Sequence, residues 1–370
     1  MSTEKRKSIL EHFGFSHAAA EFLLGALHRD VPSYCPEARH CLFTSEIFVP
    51  EWIALADEAQ RAGVVDTIGS MLFELHFPIQ SGVSSRPDYQ ELALADGRPL
   101  RDVRPQLPGG LTWQKPDAMR LFLTDSGVGL LPVILTASRE DFVTLIQAIV
   151  HHNEPRSVPA SMGSCFINGY VNRGRLLRIR HAIATGAFQP EMRDPQLWRD
   201  KFIIISPGPY SGVPADAFGL SAEAWSETSI RIRIAHESCH YAVRRLFPRL
   251  KFGIQDELVA DLVGLVEAYG EFKALPFLTF MGLENFPNYR SGGRLENYQK
   301  DLQFDAFNAA ARLLREAAFN LQSFFHGWTT SRWEKNKQQV ISALSYLSLE
   351  ELAGPDFRQS LLERGRLAHA

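Results

Sequence analysis

One segment constrains this chain more than any other: Ile234-Ala-His236-Glu237-Ser238-Cys239-His240. Residues four apart on a helix share a face and lie about 6 Å apart along the axis. On a strand the same two histidines would be about 13 Å apart. Two imidazoles at the helical spacing can bind one tetrahedral metal ion, so the motif has a function only on a helix. The local pattern resists this, because Ile230, Ile232 and Ile234 alternate with Arg231 and Arg233, a strand period. A helix is still expected. Thr228 and Ser229 offer caps, Ala235, Cys239, Ala242 and Leu246 keep helical spacing, and Pro248 offers a stop.

The segment Asp256-Glu257-Leu-Val-Ala260-Asp261 then opens a second predicted helix, capped by Gln255 or Asp256 and ended at Gly270. Glu257, Asp261, Gly264 and Ala268 fall on one side of it, and two carboxylates among small residues suit close approach to a neighbouring helix. Glu257 is the expected third metal ligand beside His236 and His240, with Asp256 the alternative, either as ligand or as a mere cap. Asp261, one turn on, can accept the free N–H of either histidine and fix its tautomer. Zn2+ is the expected ion for a two-His, one-carboxylate set, with water at a fourth position. Glu237 is the expected general base for that water.

His236-Glu-x-x-His240 followed by Glu257-x-x-Ala-Asp261 resembles the gluzincin class of zinc metallopeptidases, over residues 228–270. The longer metzincin pattern is absent, since Val243 and Leu246 stand at its Gly and third His positions. The resemblance implies a zincin-like fold: a small sheet, the motif helix and a mostly helical lobe. It also implies an oxyanion donor downstream of the third ligand, for which Tyr289, Tyr298 and His326 are candidates, with Tyr298 preferred. Arg290 and Arg294, flanking Gly292-Gly293, are candidates for gripping a substrate carboxylate.

The rest of the chain predicts an α+β class. Helices are expected over 16–27, 50–62, 66–74 and 139–152, the last capped by Ser138. Strands are expected over 120–124 and 128–136, joined at Asp125-Ser126-Gly127, and over 164–170 and 202–206. Residues 80–110 read as a long connection or lid. After Gly270 the pattern is mostly helical. Three regions follow: a mixed region 1–115, a zincin-like catalytic core 116–270 and a helical lobe 271–370.

The 39 Lys and Arg against 42 Asp and Glu give a net charge of −3, which argues against a dedicated nucleic-acid partner. Arg173, Arg175, Arg178, Arg180 and His181, with Arg244, Arg245, Arg249 and Lys251, read as a solvated face or a positive rim. The longest apolar run, 128–137, is too short to span a bilayer, so no membrane partner is expected. With four cysteines no disulfide scaffold is expected, and the chain is read as cytoplasmic. Cys35, His40 and Cys41 read as a loop with reduced thiols or a minor metal clip. Cys239 reads as a core thiol, facing away from the histidines.

The function expected is zinc-dependent hydrolysis of a peptide or amide bond. The alternatives are a zincin-like enzyme acting on a small amide or ester, and a non-catalytic metal-binding module.

Overall fold

The computed structural model describes residues 3–26, 45–94, 110–186, 194–247, 250, 253–301 and 304–365. Cys35, His40, Cys41, Pro248, Arg249 and Lys251 lie outside the described residues. The chain is α+β, with one four-stranded mixed sheet. Two compact units interleave along the sequence, where the sequence reading has three consecutive regions. One comprises 1–44, 126–128 and 209–370, the other 45–125 and 129–208. Among the described residues no helix is long and apolar enough to cross a membrane.

Helices α1 (Thr3–His12) and α2 (His17–Ala26) belong to the first unit. Ion pairing of Arg6 with Glu350 at 2.8 Å, and donation from Arg312 to the Phe13 carbonyl at 2.6 Å, tie the N-terminus to C-terminal helices. These long-range contacts are why residues 3–26 do not stay with the mixed region that follows them in sequence.

The second unit holds α3 (Val49–Ala62), α4 (Val64–Gly69), α5 (Pro87–Leu94), β1 (Arg120–Asp125), β2 (Leu130–Leu135), α6 (Arg139–Ile149), β3 (Ser164–Val171), α7 (Arg173–Ala184) and β4 (Arg199–Ile205). The strand order is β1-β2-β4-β3. β1 and β2 form the expected antiparallel pair, β4 joins β2 in parallel, and β3 runs antiparallel to β4. The fully buried run Phe202, Ile203, Ile204, Ile205 sits on the central strand β4, as a strand covered on both faces requires. Trp52, Phe142, Leu145, Ile134 and Phe202 form its core.

Three expectations change here. The helix expected over 66–74 stops at Gly69, where the Ser70 hydroxyl bonds back to the Thr67 carbonyl, and a 3-10 turn covers Phe73–His76. The connection 80–110 contains α5 and a 3-10 turn at Val83–Ser85, with Glu154 accepting from the amides of Gly82 and Ser84; residues 95–109 lie outside the described residues. The basic run on α7 is in part internally paired: Arg175 pairs with Asp200 at 2.6 Å and with Glu51, and Arg178 pairs with Glu51 at 2.6 Å.

The first unit continues with α8 (Ala222–Leu246), α9 (Ile254–Tyr269), α10 (Ala274–Met281), α11 (Phe304–Phe325), α12 (Thr330–Tyr346), α13 (Leu349–Ala353) and α14 (Phe357–Gly365). α8 starts earlier than its sequence suggests. Ser221 is the N-cap, accepting from the Ala224 amide at 3.2 Å. Thr228 and Ser229 lie inside the helix, so neither caps it. The apparent strand period carries no weight because Arg233 is as buried as Ile232, and no in-out alternation exists. α9 begins after Gly253, not at Gln255 or Asp256. Asp256 sits in its first turn and its carboxylate accepts from the Gly253 amide at 2.7 Å. Gly270 ends the helix with φ of 77°. α8 and α9 meet at Gly264, where a Cβ would lie 3.0 Å from both the side chain and the carbonyl of Ile232. The small residue allows the close approach that brings the face carrying His236 and His240 together with the face carrying Glu257 and Asp261.

Candidate metal centre

α8 presents His236 and His240 one turn apart, and α9 presents Glu257 and Asp261 in the same relation. Among the described residues, His236, His240 and Glu257 form the group whose ligand atoms converge, all within 4.8 Å of one another. The two Nε2 atoms are 3.0 Å apart. Each Nε2 lies 3.7 Å from a carboxylate oxygen of Glu257. A tetrahedral ion with bonds near 2.0–2.1 Å places neighbouring ligand atoms about 3.3 Å apart. The 3.0 Å between the imidazole nitrogens lies just below that edge, and the 3.7 Å separations, from His236 to Oε2 and from His240 to Oε1, lie just above it. The donor set of two imidazole nitrogens and one carboxylate suits zinc. Asp256, the alternative ligand, turns its carboxylate back onto its own helix start instead.

Behind these three side chains lies a buried network. His236 Nδ1 is 2.8 Å from Asp261 Oδ1, and the Tyr210 hydroxyl donates to the same oxygen at 2.6 Å. Arg294 donates to the Tyr210 hydroxyl through Nη1 at 2.9 Å and pairs with Asp261 through Nη2. The Arg294 Nη1 also stands 3.5 Å from Glu257 Oε2. Burial works against the charged form of Asp261, yet Arg294 and the His236 hydrogen bond hold its carboxyl below the usual range. Glu257 behaves alike: burial pushes it up, and Arg294, His236 and His240 outweigh that. Burial lowers His240, and the neighbouring His236 lowers it further. Burial also presses on His236, but the Asp261 hydrogen bond and the Glu257 charge leave it raised.

Glu237 lies between the two histidines in sequence and is 7% exposed. The Tyr298 hydroxyl hydrogen-bonds to Glu257, and burial together with that carboxylate raises its pKa, so it stays protonated. The segment carrying Arg294 and Tyr298 is fastened to the end of α10. A Cβ at Gly293 would lie 2.6 Å from the Gly282 Cα and the Met281 carbonyl, so only glycine fits the crossing. The Arg290 amide donates to the Gly282 carbonyl at 2.8 Å, and the Tyr289 hydroxyl donates to the Gly293 carbonyl at 2.7 Å.

Two sequence expectations change at this loop. Arg294 is not presented as a substrate clamp, because its guanidinium is engaged by Asp261, Tyr210 and Glu257. Arg290 is likewise engaged, by Glu284 and by the Thr279 carbonyl at 2.5 Å. Tyr289 is committed to the loop backbone and His326 is exposed past the end of α11. Cys239 is buried, and burial raises its thiol, as suits a core residue. Tyr210 was not apparent from sequence. It follows Pro207-Gly208-Pro209, which signals a turn and nothing about what the next side chain reaches.

A family model described as a family of unknown function (DUF7005) matches residues 8–356. No curated protein matches the chain, and no solved structure does.

Proposed function

For a chain that belongs to the DUF7005 family of unknown function, we propose a zinc-dependent hydrolase of zincin-like fold that cleaves a peptide or amide bond. The observation that carries the reading is the convergence of His236, His240 and Glu257, with Asp261 on the far nitrogen of His236. The resemblance of the two motifs to those of gluzincins supports it. When bound, zinc supplies a Lewis acid that brings water to a pKa of about 7 and polarises a carbonyl oxygen. Glu237 takes the proton of the attacking water and delivers it to the leaving nitrogen. Tyr298 stays protonated, and its single proton, given to Glu257 in the resting site, turns from that carboxylate to the developing oxyanion.

The direct test is metal content by plasma mass spectrometry, wild type beside Glu257→Ala. About one zinc per chain in the wild type and much less in the variant is the expected result. No zinc in either after zinc is added back refutes the reading, and equal zinc in both moves the third ligand elsewhere.

A small amide or ester is the second reading for the substrate. The ligand side chains are enclosed, with 5% of His236, 10% of His240 and 19% of Glu257 exposed. Such enclosure favours a compact substrate over a folded polypeptide. A panel of unstructured peptides beside small aryl and alkyl amides separates the two, since turnover confined to the small amides selects the second reading.

A further inference from the structure

We infer that the turn Pro209–Tyr210–Ser211–Gly212 is a clamp that orients His236, and that Tyr210 is its positioning residue. The inference rests on the metal-centre reading above. Three contacts stitch this turn to α8. The Tyr210 amide donates to Ser229 Oγ at 3.0 Å, Arg233 Nη2 donates to the Pro209 carbonyl at 2.8 Å, and the Tyr210 hydroxyl reaches His236 Nδ1 at 2.9 Å. Residues 229, 233 and 236 recur at the spacing of one helical face, so the turn lies along α8 and ends on the first histidine of the motif. The clamp is stiff. Ser211 is a buried non-glycine residue with φ of 53° and ψ of 23°, a conformation held only where the surroundings over-determine it. The Tyr210 ring packs edge-on against Phe280 with centroids 4.8 Å apart, and the guanidinium carbons of Arg233 and Arg294 stand 5.5 and 5.2 Å from its centroid.

Counting protons assigns the role. A tyrosine hydroxyl has one proton, and at 2.6 Å it goes to Asp261 Oδ1. Arg294 Nη1 donates to the same hydroxyl and occupies one of its lone pairs. The hydroxyl therefore has no proton left for His236 Nδ1. That nitrogen must itself carry a proton, which it gives to Asp261 at 2.8 Å. Nε2 then bears the lone pair and faces His240 and Glu257. Asp261 alone would restrain His236 through one hydrogen bond. With Tyr210 on the same oxygen the carboxylate cannot swing, and the imidazole has one orientation and one tautomer.

The test uses the metal-free full chain titrated with Co2+ alone, followed by the visible d–d absorption of the bound ion. Near-UV circular dichroism confirms that each variant folds. Tyr210→Phe removes only the hydroxyl and is expected to bind Co2+ roughly 10–100-fold more weakly, with an altered d–d band. Ser229→Ala, which touches no ligand, is expected to lose affinity in the same direction by less. Wild-type affinity and an unchanged band in Tyr210→Phe overturn the inference and leave the metal centre standing. Should Tyr210→Phe not fold, Ser229→Ala decides, with unchanged affinity again overturning it. A wild-type chain that takes up no Co2+ overturns the metal reading and this inference together.

Discussion

Glu237→Gln is expected to retain zinc at the wild-type level while turnover of the amide substrate falls by roughly 10²–10⁴-fold, the range a positioned general acid–base contributes. Gln matches Glu in shape, so α8 and its two histidines keep their places. An amide, however, cannot take the proton of an attacking water. The contrast with Glu257→Ala is diagnostic, because there both metal and turnover go. The separation follows from placement: His236, His240 and Glu257 converge on one point, whereas Glu237 is not among the converging donors. Zinc analysis on the same sample used for kinetics makes the comparison direct. Full turnover by Glu237→Gln with zinc bound would refute the proposed mechanism even if the metal centre is real.

The parts of the site that could be read from sequence are those governed by local periodicity. His236 and His240 share a face because a helix repeats every 3.6 residues, and Glu257 and Asp261 do so for the same reason. Gly264 among those carboxylates pointed to a close helix approach, and its contact with Ile232 is that approach. What periodicity cannot supply is the identity of residues that arrive from elsewhere in the chain. Tyr210 comes from a turn before α8 and Arg294 from a loop after α10, and neither position has a pattern that names its target. Arg294 looked like a substrate clamp because an arginine after Gly-Gly is a good anion grip. In the fold its partners are internal carboxylates, and they were not visible one residue at a time.

One misreading of fold and one misleading local signal have the same origin. Thr228 and Ser229 suggest too late a start for α8 because both are good cap residues in isolation. Their hydroxyls instead serve the carbonyl of Ala224 and the amide of Tyr210 from inside the helix. The alternation around Arg233 imitated a strand because it assumes that charged residues face water. Arg233 is 1% exposed and donates to the Pro209 carbonyl, so tertiary partners reverse that assumption.

Stability is expected to fall by about 3 kcal/mol between pH 4.5 and 8 through a single carboxyl in the second unit, and Glu74→Gln is expected to abolish that fall. Glu74 is 3% exposed, and burial raises its pKa from 4.5 to about 7. Smaller effects oppose burial: its own backbone amide, the Tyr170 hydroxyl donating at 2.9 Å, and the charge of Arg173. Asn153 holds the backbone of the segment in place by donating to the carbonyls of Glu74 and Phe77 at 3.0 and 2.9 Å. Below pH 4.5 the carboxyl is protonated in both folded and unfolded chains, and its contribution is fully present. As pH rises the unfolded chain gives up the proton first, near 4.5, while the folded chain keeps it until about 7. Ionisation therefore favours the unfolded state across that window, and the loss levels off above it. Gln keeps an oxygen for the Tyr170 hydroxyl and never ionises. Urea unfolding of both proteins at pH 4.5 and pH 8 checks this. The stability of Glu74→Gln relative to wild type should rise by about 3 kcal/mol between the two conditions. A difference that does not change with pH would show that Glu74 ionises in the folded chain as it does in water.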